Sequence, residues 1–250
     1  MIDIKVNGEV IRNIEGVIFD KDGTLTDSHI YWSEIIRRRA KKLCDYFNLP
    51  DSEYINLTFV MGLDISIGKL MSEGPIAIKS RNEVISSLEK YLESIGCSNS
   101  FDVIVNVIKE VNSEFRDVND FIKPINECVS LVKKLKGLGV KITLLTSDTT
   151  KNAISMTDYL EITNYFDLIQ GTDGISEKKS SGKSALEVCD KMFVSPQNVI
   201  SIGDTEVDYI MSQNSKLGGC ILVSSGQVSV VELQKRTKCS ITSLDLIELL

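Results

Sequence analysis

The sequence predicts an α/β fold: a Rossmann-like parallel sheet covered by helices, with an α-helical domain inserted into it. Three observations carry that expectation. Short apolar runs at 16–19, 140–146, 199–203 and 220–223 alternate with helical patterns, as strands buried on both faces do. Two of these runs stop at carboxylates, Asp20 and Asp204. Between the first run and the second, from Ser28 to about Asn119, the apolar spacing is mostly that of helices.

Taken from the amino end, residues 2–11 alternate apolar and polar side chains around Asn7-Gly8. That dipeptide suits a two-residue hairpin because both positions tolerate positive φ. A hairpin within 1–14, lying at a sheet edge, is expected. Gly16-Val17-Ile18-Phe19 is the first core strand. Helices follow over 33–48, 82–95 and 101–115, and Gly74-Pro75 breaks the region into parts. From Asn126 the period changes: a helix through Leu138, a strand at 140–146, a helix, a strand at 166–170, another helix, then strands at 199–203 and 220–223 and a last helix. The implied division is an α/β core of 1–27 and 122–250 around a helical domain of 28–121.

Composition narrows the functional classes. The 250 residues are 42% hydrophobic and 25% charged, with no apolar run near the roughly 20 residues of a membrane span. A soluble protein is expected, with no membrane partner. Met1 to Val10 lacks the cationic start and unbroken apolar stretch of a secretory signal, so a cytoplasmic location is expected. Six cysteines lie scattered without a Cys-x-x-Cys pair, and His29 is the sole imidazole, which argues against zinc and for reduced thiols. A net charge of −7 repels a phosphate backbone and argues against nucleic acid. Small phosphorylated substrates remain compatible, because local cations and a metal decide those. A monomer or a homodimer fits equally.

The strand ends carry the chemistry. Residues two apart on a strand share a face, so Asp20 and Asp22 are expected to point toward one site, with Gly23 permitting the turn. Paired carboxylates repel unless a cation or a shared proton compensates, and hard oxygen ligands suit Mg2+. The run 140–146 ends in Thr146 and Ser147, whose hydroxyls can donate to a phosphoryl oxygen. The run 199–203 leads into Asp204 and Asp208, four apart and on one face if a helix starts there. Lys178, Lys179 and Lys183 supply cations just before a helix whose amino end favours anions. Gly182-Lys183-Ser184 is no nucleotide-binding P-loop, because its earlier glycine position is Glu177. Arg37-Arg38-Arg39 with Lys41-Lys42 fans around a helix axis, giving a solvated face with one or two useful cations.

Asp20-x-Asp22-Gly23-Thr24, a hydroxyl after the next core strand, a downstream lysine and Gly203-Asp204-x-x-x-Asp208 resemble the four ordered motifs of the haloacid dehalogenase-like phosphatases. The inserted helical stretch lies where that family places its type-one cap, and the likeness is to the phosphoglycolate phosphatase-like and beta-phosphoglucomutase-like branch. The resemblance implies a Mg2+-dependent phosphatase acting on a small phosphorylated metabolite, its cap closing to exclude bulk water. Asp20 would be the nucleophile that becomes an aspartyl phosphate, and Asp22 the acid/base. Asp20, Asp204 and the Asp22 carbonyl would hold Mg2+, with Asp208 bound directly or through water. Thr146 would bind the phosphoryl group, with Ser147 and Gly23 beside the substrate. The family's usual Lys-Pro is absent here; spacing from Val194-Ser195-Pro196 favours Lys179, with Lys178 and Lys183 left open. His29 and Trp32, with Tyr31, stand where core passes into cap, as substrate contacts or as packing residues. Lys79 and Arg81 are candidates for a cap loop facing the site. The runner-up is a phosphosugar mutase of the beta-phosphoglucomutase type. A non-catalytic phosphate-binding protein would predict a missing motif residue, and none is missing.

Overall fold

The computed structural model describes residues 1–71, 74–75, 81–114, 121–171, 173 and 178–250. Lys79, Glu177 and the side chain of Arg81 lie outside what is described. The chain forms two compact units, Met1–Asp27 with Ile122–Leu250, and Ser28–Phe121. The α/β class with an inserted helical unit is the one the sequence predicts.

The first unit opens with β1 (Ile2–Val6) and β2 (Glu9–Ile14), paired antiparallel through Asn7 at φ 48° and Gly8 at φ 81°. Both positive values are what that turn requires. β3 (Gly16–Phe19) follows, and every one of its residues is buried.

The second unit runs through α1 (Ser28–Phe47), α2 (Asp51–Met61), the short antiparallel pair β4 (Leu63–Asp64) and β5 (Lys69–Leu70), α3 (Arg81–Ser94) and α4 (Ser100–Glu114). Ile36, Leu43, Leu57, Leu88, Leu92, Ile104 and Val111 are among the buried side chains that join these helices into one core. α2 is absent from the expected helices. Its Ile55, Leu57, Phe59 and Met61 alternate with polar or smaller residues, a strand-like pattern, and Ile55 and Phe59 stay exposed while Leu57 and Met61 are buried.

The first unit resumes with α5 (Cys128–Gly137), β6 (Lys141–Leu145), α6 (Thr150–Tyr159), β7 (Leu168–Gln170), α7 (Lys183–Met192), β8 (Val199–Gly203), α8 (Glu206–Asn214), β9 (Gly219–Val223), α9 (Val230–Gln234), β10 (Ser240–Ile241) and β11 (Glu248–Leu249). Six strands make a parallel sheet in the order β10-β9-β8-β3-β6-β7. Val17 and Phe19 of β3 enter one apolar cluster and Ile18 the opposite one, as a strand covered on both faces must. The chain leaves β3 for β6 on one side and reaches β8 on the other, so the carboxyl end of β3 is the switch point where ligands bind in such sheets. Phe19 stands opposite Leu144 and Ile202, which brings three strand ends level with one another.

The hairpin does not lengthen this sheet, contrary to the edge position expected. It joins β11 in a separate three-stranded sheet, with Ile4 opposite both Ile11 and Leu249. Ile2, Ile4, Val6 and Ile14 pack into the larger core cluster, so burial of that apolar face wins over hydrogen bonding along an edge. All six cysteines are free thiols. No helix among the described residues is long and apolar enough to cross a membrane.

Candidate active site

The site is built where β3 and β8 stop. Asp20 follows β3, and its N–H donates to the Ile202 carbonyl at 2.9 Å, which fixes its backbone against β8. The chain then folds tightly: the Lys21 carbonyl accepts from Leu25 N–H at 2.9 Å and Thr26 N–H at 3.1 Å, with Gly23 at φ 82°. Ser225, just past β9, donates its hydroxyl to the Gly23 carbonyl at 2.6 Å.

Asp204 leaves β8 ahead of α8, and Asp208 lies in that helix's first turn. The two acids do not converge along a helix face, as their spacing suggested, because Asp204 precedes the helix cap. Thr205 is the cap, and Asp208 Oδ2 accepts from its N–H at 3.2 Å and its hydroxyl at 2.8 Å, a capping box. That contact orients Asp208 so that Oδ1 meets Lys179 Nζ at 2.7 Å. The same ammonium lies 2.5 Å from Asp20 Oδ1. Of the three candidate lysines, Lys179 is the one brought to the acids; Lys178 and Lys183 are exposed.

Asp20, Asp204 and Asp208 each present an oxygen within 4.8 Å of the other two, an arrangement that could hold a metal ion. The residues fit such an ion. Asp204 is buried and its Oδ1 has no hydrogen-bond partner among the described residues, an arrangement that is costly for a carboxylate without a cation. Glycines wall its other oxygen: a Cβ on Gly23 would lie 2.1 Å from Asp204 Oδ2, and one on Gly226 1.7 Å. Burial, opposed by Lys179, pushes the Asp20 carboxyl up to about 6. Burial and the charges of Asp20 and Asp208 push Asp204 well above the carboxylate range. Burial works against the Lys179 ammonium, yet the charges of Asp20 and Asp208 outweigh it and hold its pKa above the ordinary value of 10.5. One ammonium among three carboxylates, two of them buried, leaves excess negative charge, which hard divalent cations offset.

Asp22 meets a different cation. Its carboxylate stays out of the three-acid cluster and accepts from Lys21 Nζ, at 3.0 Å to Oδ1 and 2.9 Å to Oδ2. Asp20 and Asp22 share no strand face, because the strand ends at Phe19, yet the charge of Asp22 still acts on the Asp20 carboxyl. Thr146 is buried, and its hydroxyl oxygen accepts from Asp148 N–H at 3.1 Å, which leaves its O–H as a donor. Ser147 beside it is exposed. His29 and Trp32 belong to the helical unit. There His29 Nδ1 accepts from Leu70 N–H at 3.3 Å, and Trp32 stacks edge-on with Tyr31 at 5.1 Å.

Sequence reasoning overlooked Lys21, Asp148, Ser225 and Gly226. The rule that found the other residues applies to two of them, because Ser225 and Gly226 also stand just past an apolar strand. Lys21 carried a weaker signal, an isolated cation between two acids.

A parallel sheet whose switch-point strands end in Asp20 and Asp204, closed by a buried lysine, defines an α/β enzyme of the strand-end carboxylate kind. The chain belongs to the haloacid dehalogenase-like hydrolases: residues 17–220 match the model of that family. It is 26% identical over 193 residues to the phosphoglycolate phosphatase of Aquifex aeolicus, covering 77% of this chain and 76% of that protein. It is 24% identical over 207 residues to the proposed pyrophosphatase PpaX of Clostridium perfringens, covering 83% of each. The solved structure of beta-phosphoglucomutase from Clostridium difficile has a TM-score of 0.64 at 24% identity, covering 92% of this chain and 91% of that one. That last likeness is one of fold.

Proposed function

We propose that this hydrolase is a Mg2+-dependent phosphatase that cleaves a small phosphomonoester through an aspartyl phosphate on Asp20. The observation that carries the reading is the Asp20–Lys179 contact at 2.5 Å beside the buried Asp204 and Asp208. Lys179 holds the Asp20 carboxylate in one orientation and reduces its repulsion of an incoming phosphate. Asp20 attacks phosphorus, and the departing alkoxide takes a proton from Asp22. Asp22, now a carboxylate, accepts a proton from the water that attacks the acyl phosphate, so inorganic phosphate leaves and both acids return to their starting states. Thr146 and Ser147 donate hydrogen bonds to the phosphoryl oxygens. Mg2+, held by Asp20, Asp204 and the Asp22 carbonyl, supplies positive charge that offsets the carboxylates and the phosphoryl oxygens. Both Asp208 oxygens already have protein partners, which supports contact with that ion through water.

The names of the relatives put phosphoglycolate first among substrates to try, with pyrophosphate beside it. The test is free phosphate release from phosphoglycolate, sugar phosphates, phosphorylated polyols, phosphorylated amino alcohols and pyrophosphate, with and without Mg2+. Release from a monoester that needs the metal and is lost in Asp20→Asn is expected. Isomerised sugar phosphate without free phosphate would replace the reading with the mutase, and no reaction with any compound would overturn it.

A further inference from the structure

The helical unit holds a second concave site that catalysis leaves unused. α1 spaces His29, Ser33 and Arg37 four residues apart, which puts all three on one helix face. With Glu34, Gly68 and Phe121 they line a cavity of about 230 Å3. Ser33 is only 5% exposed, and its hydroxyl has no hydrogen-bond partner among the described residues. Other buried hydroxyls also lack a described partner, Ser28 and Ser100 of the same unit among them, but Ser33 is the one that lines this cavity, where a ligand atom can pair it. Arg37 forms no ion pair with a described residue. Glu34, the acid on that wall, is already bound by Arg38 Nε at 2.8 Å, so Arg37 sets the charge of the cavity.

We propose that this cavity binds a small oxyanion, a carboxylate or a phosphate, with Arg37 supplying charge and Ser33 a hydroxyl donor. A guanidinium presents two parallel N–H groups that match either anion. The volume lies below the roughly 300 Å3 at which whole-ligand pockets begin, so the occupant is a single acidic group on a small molecule. This inference does not rest on the phosphatase reading. Two sources share the chemistry: the distal acid group of a substrate, or a free oxyanion acting as an effector.

His29 is the chain's one histidine, so its imidazole NMR resonances report on this cavity without assignment. The full-length protein, free of Mg2+ and at fixed pH, is titrated with glycolate and separately with inorganic phosphate. The expected result is a saturable shift of the His29 resonances with at least one probe. Arg37→Gln should weaken the apparent affinity about tenfold or more, Ser33→Ala several-fold, and Arg37→Lys should recover part of the loss. Lys179→Met, in the catalytic cluster, should leave the glycolate curve unchanged. Resonances unmoved by both probes, or the same curve in Arg37→Gln, would overturn the proposal. If Arg37→Gln does not fold, Ser33→Ala and Arg37→Lys decide it in the same way. Kinetics then name the source, with both outcomes supporting the cavity. Arg37→Gln raising KM for an acid-bearing ester but not for a neutral one, at unchanged kcat, marks the substrate's distal group; unchanged KM for both marks a free oxyanion.

Discussion

Nζ of Lys21 lies 2.9 Å from Oδ2 of Asp22, the acid assigned to proton transfer, and 3.1 Å from Oδ2 of Asp148. The lysine side chain is 7% exposed and each carboxylate 24%, so one nearly buried ammonium holds two partly shielded acids. Lys21→Met leaves Asp22 without its ammonium partner, while Asp148 keeps the Thr149 N–H and the Asn152 amide on its other oxygen. The cost expected is about 1–3 kcal/mol, below that of a fully buried pair because water reaches both acids. Asp22 also loses its tether, so kcat should fall about ten- to a hundredfold with little change in KM. Urea unfolding and steady-state kinetics check the two effects, and an unchanged kcat would remove Lys21 from the machinery.

Asp20→Asn keeps the shape of the side chain but not its nucleophilicity. Turnover should drop by at least about a thousandfold with the fold retained. Asp22→Asn should separate the two half-reactions when p-nitrophenyl phosphate is the substrate, because p-nitrophenolate leaves without a proton. A burst of p-nitrophenolate followed by stalled phosphate release is expected, since the attacking water still lacks its base. Rapid mixing reads this directly, and steady release of both products at the native rate would sink the acid/base assignment.

Mg2+ should stabilise the chain through the unpartnered Asp204. At a hundred times its dissociation constant a ligand adds about 2.7 kcal/mol, which in a chain of this size raises Tm by roughly 5–10 °C. Asp204→Asn should abolish that rise while leaving the metal-free protein no less stable, because burial already drives the metal-free Asp204 carboxyl toward its neutral form. Gly226→Ala should weaken the rise with every carboxylate kept in the sequence, since its new Cβ would lie 1.7 Å from Asp204 Oδ2 and force it aside. Thermal unfolding at graded Mg2+ measures all three, and an equal rise in Asp204→Asn would contradict the assignment.

The raised Asp20 carboxyl gives stability a sign with pH. Held at about 6 against an ordinary 3.8, chiefly by burial, it keeps its proton in the folded metal-free chain at pH values where the unfolded chain has lost it. Stability therefore falls as pH rises from about 4 to 6, by up to about 3 kcal/mol from this group. Asp204 acts in the same direction. Asp167 opposes it: burial is outweighed by hydrogen bonds from Lys136 and the Ile142 N–H, its pKa is lowered, and its contribution disappears only as pH falls below about 4. The stability of Asp20→Asn minus that of the native chain, measured without metal, should grow from pH 4 to 6. A flat difference would refute the raised value.

The strand Val199–Gly203 has the bounds its sequence predicts, because an unbroken apolar run ending in glycine has few other solutions. Asp20 and Asp204 are legible for a related reason: each stands where such a run stops. The Lys21–Asp148 contact is not, because it depends on how tightly the turn after Phe19 closes. The pairing of Ile4 with Leu249 is hidden too, since β11 is two residues long and its partner lies at the far end of the chain. α2 is masked by alternation: Ile55, Leu57, Phe59 and Met61 imitate a strand, and packing in the helical unit overrides that pattern.

β3 sits between β6 and β8, and both are made after the whole of Ser28–Phe121 has been synthesised. At about 5–20 residues per second the strand bearing Asp20 waits on the order of ten seconds for its first neighbour. The helical unit is contiguous in sequence and meets no such delay. The nascent chain should thus carry a finished insert flanked by an apolar, unpaired β3, and the Gly23 carbonyl waits longest, for the Ser225 hydroxyl. A messenger cut short between Asp208 and Ser225 yields a chain with every acid of the cluster and no completed wall around Asp204.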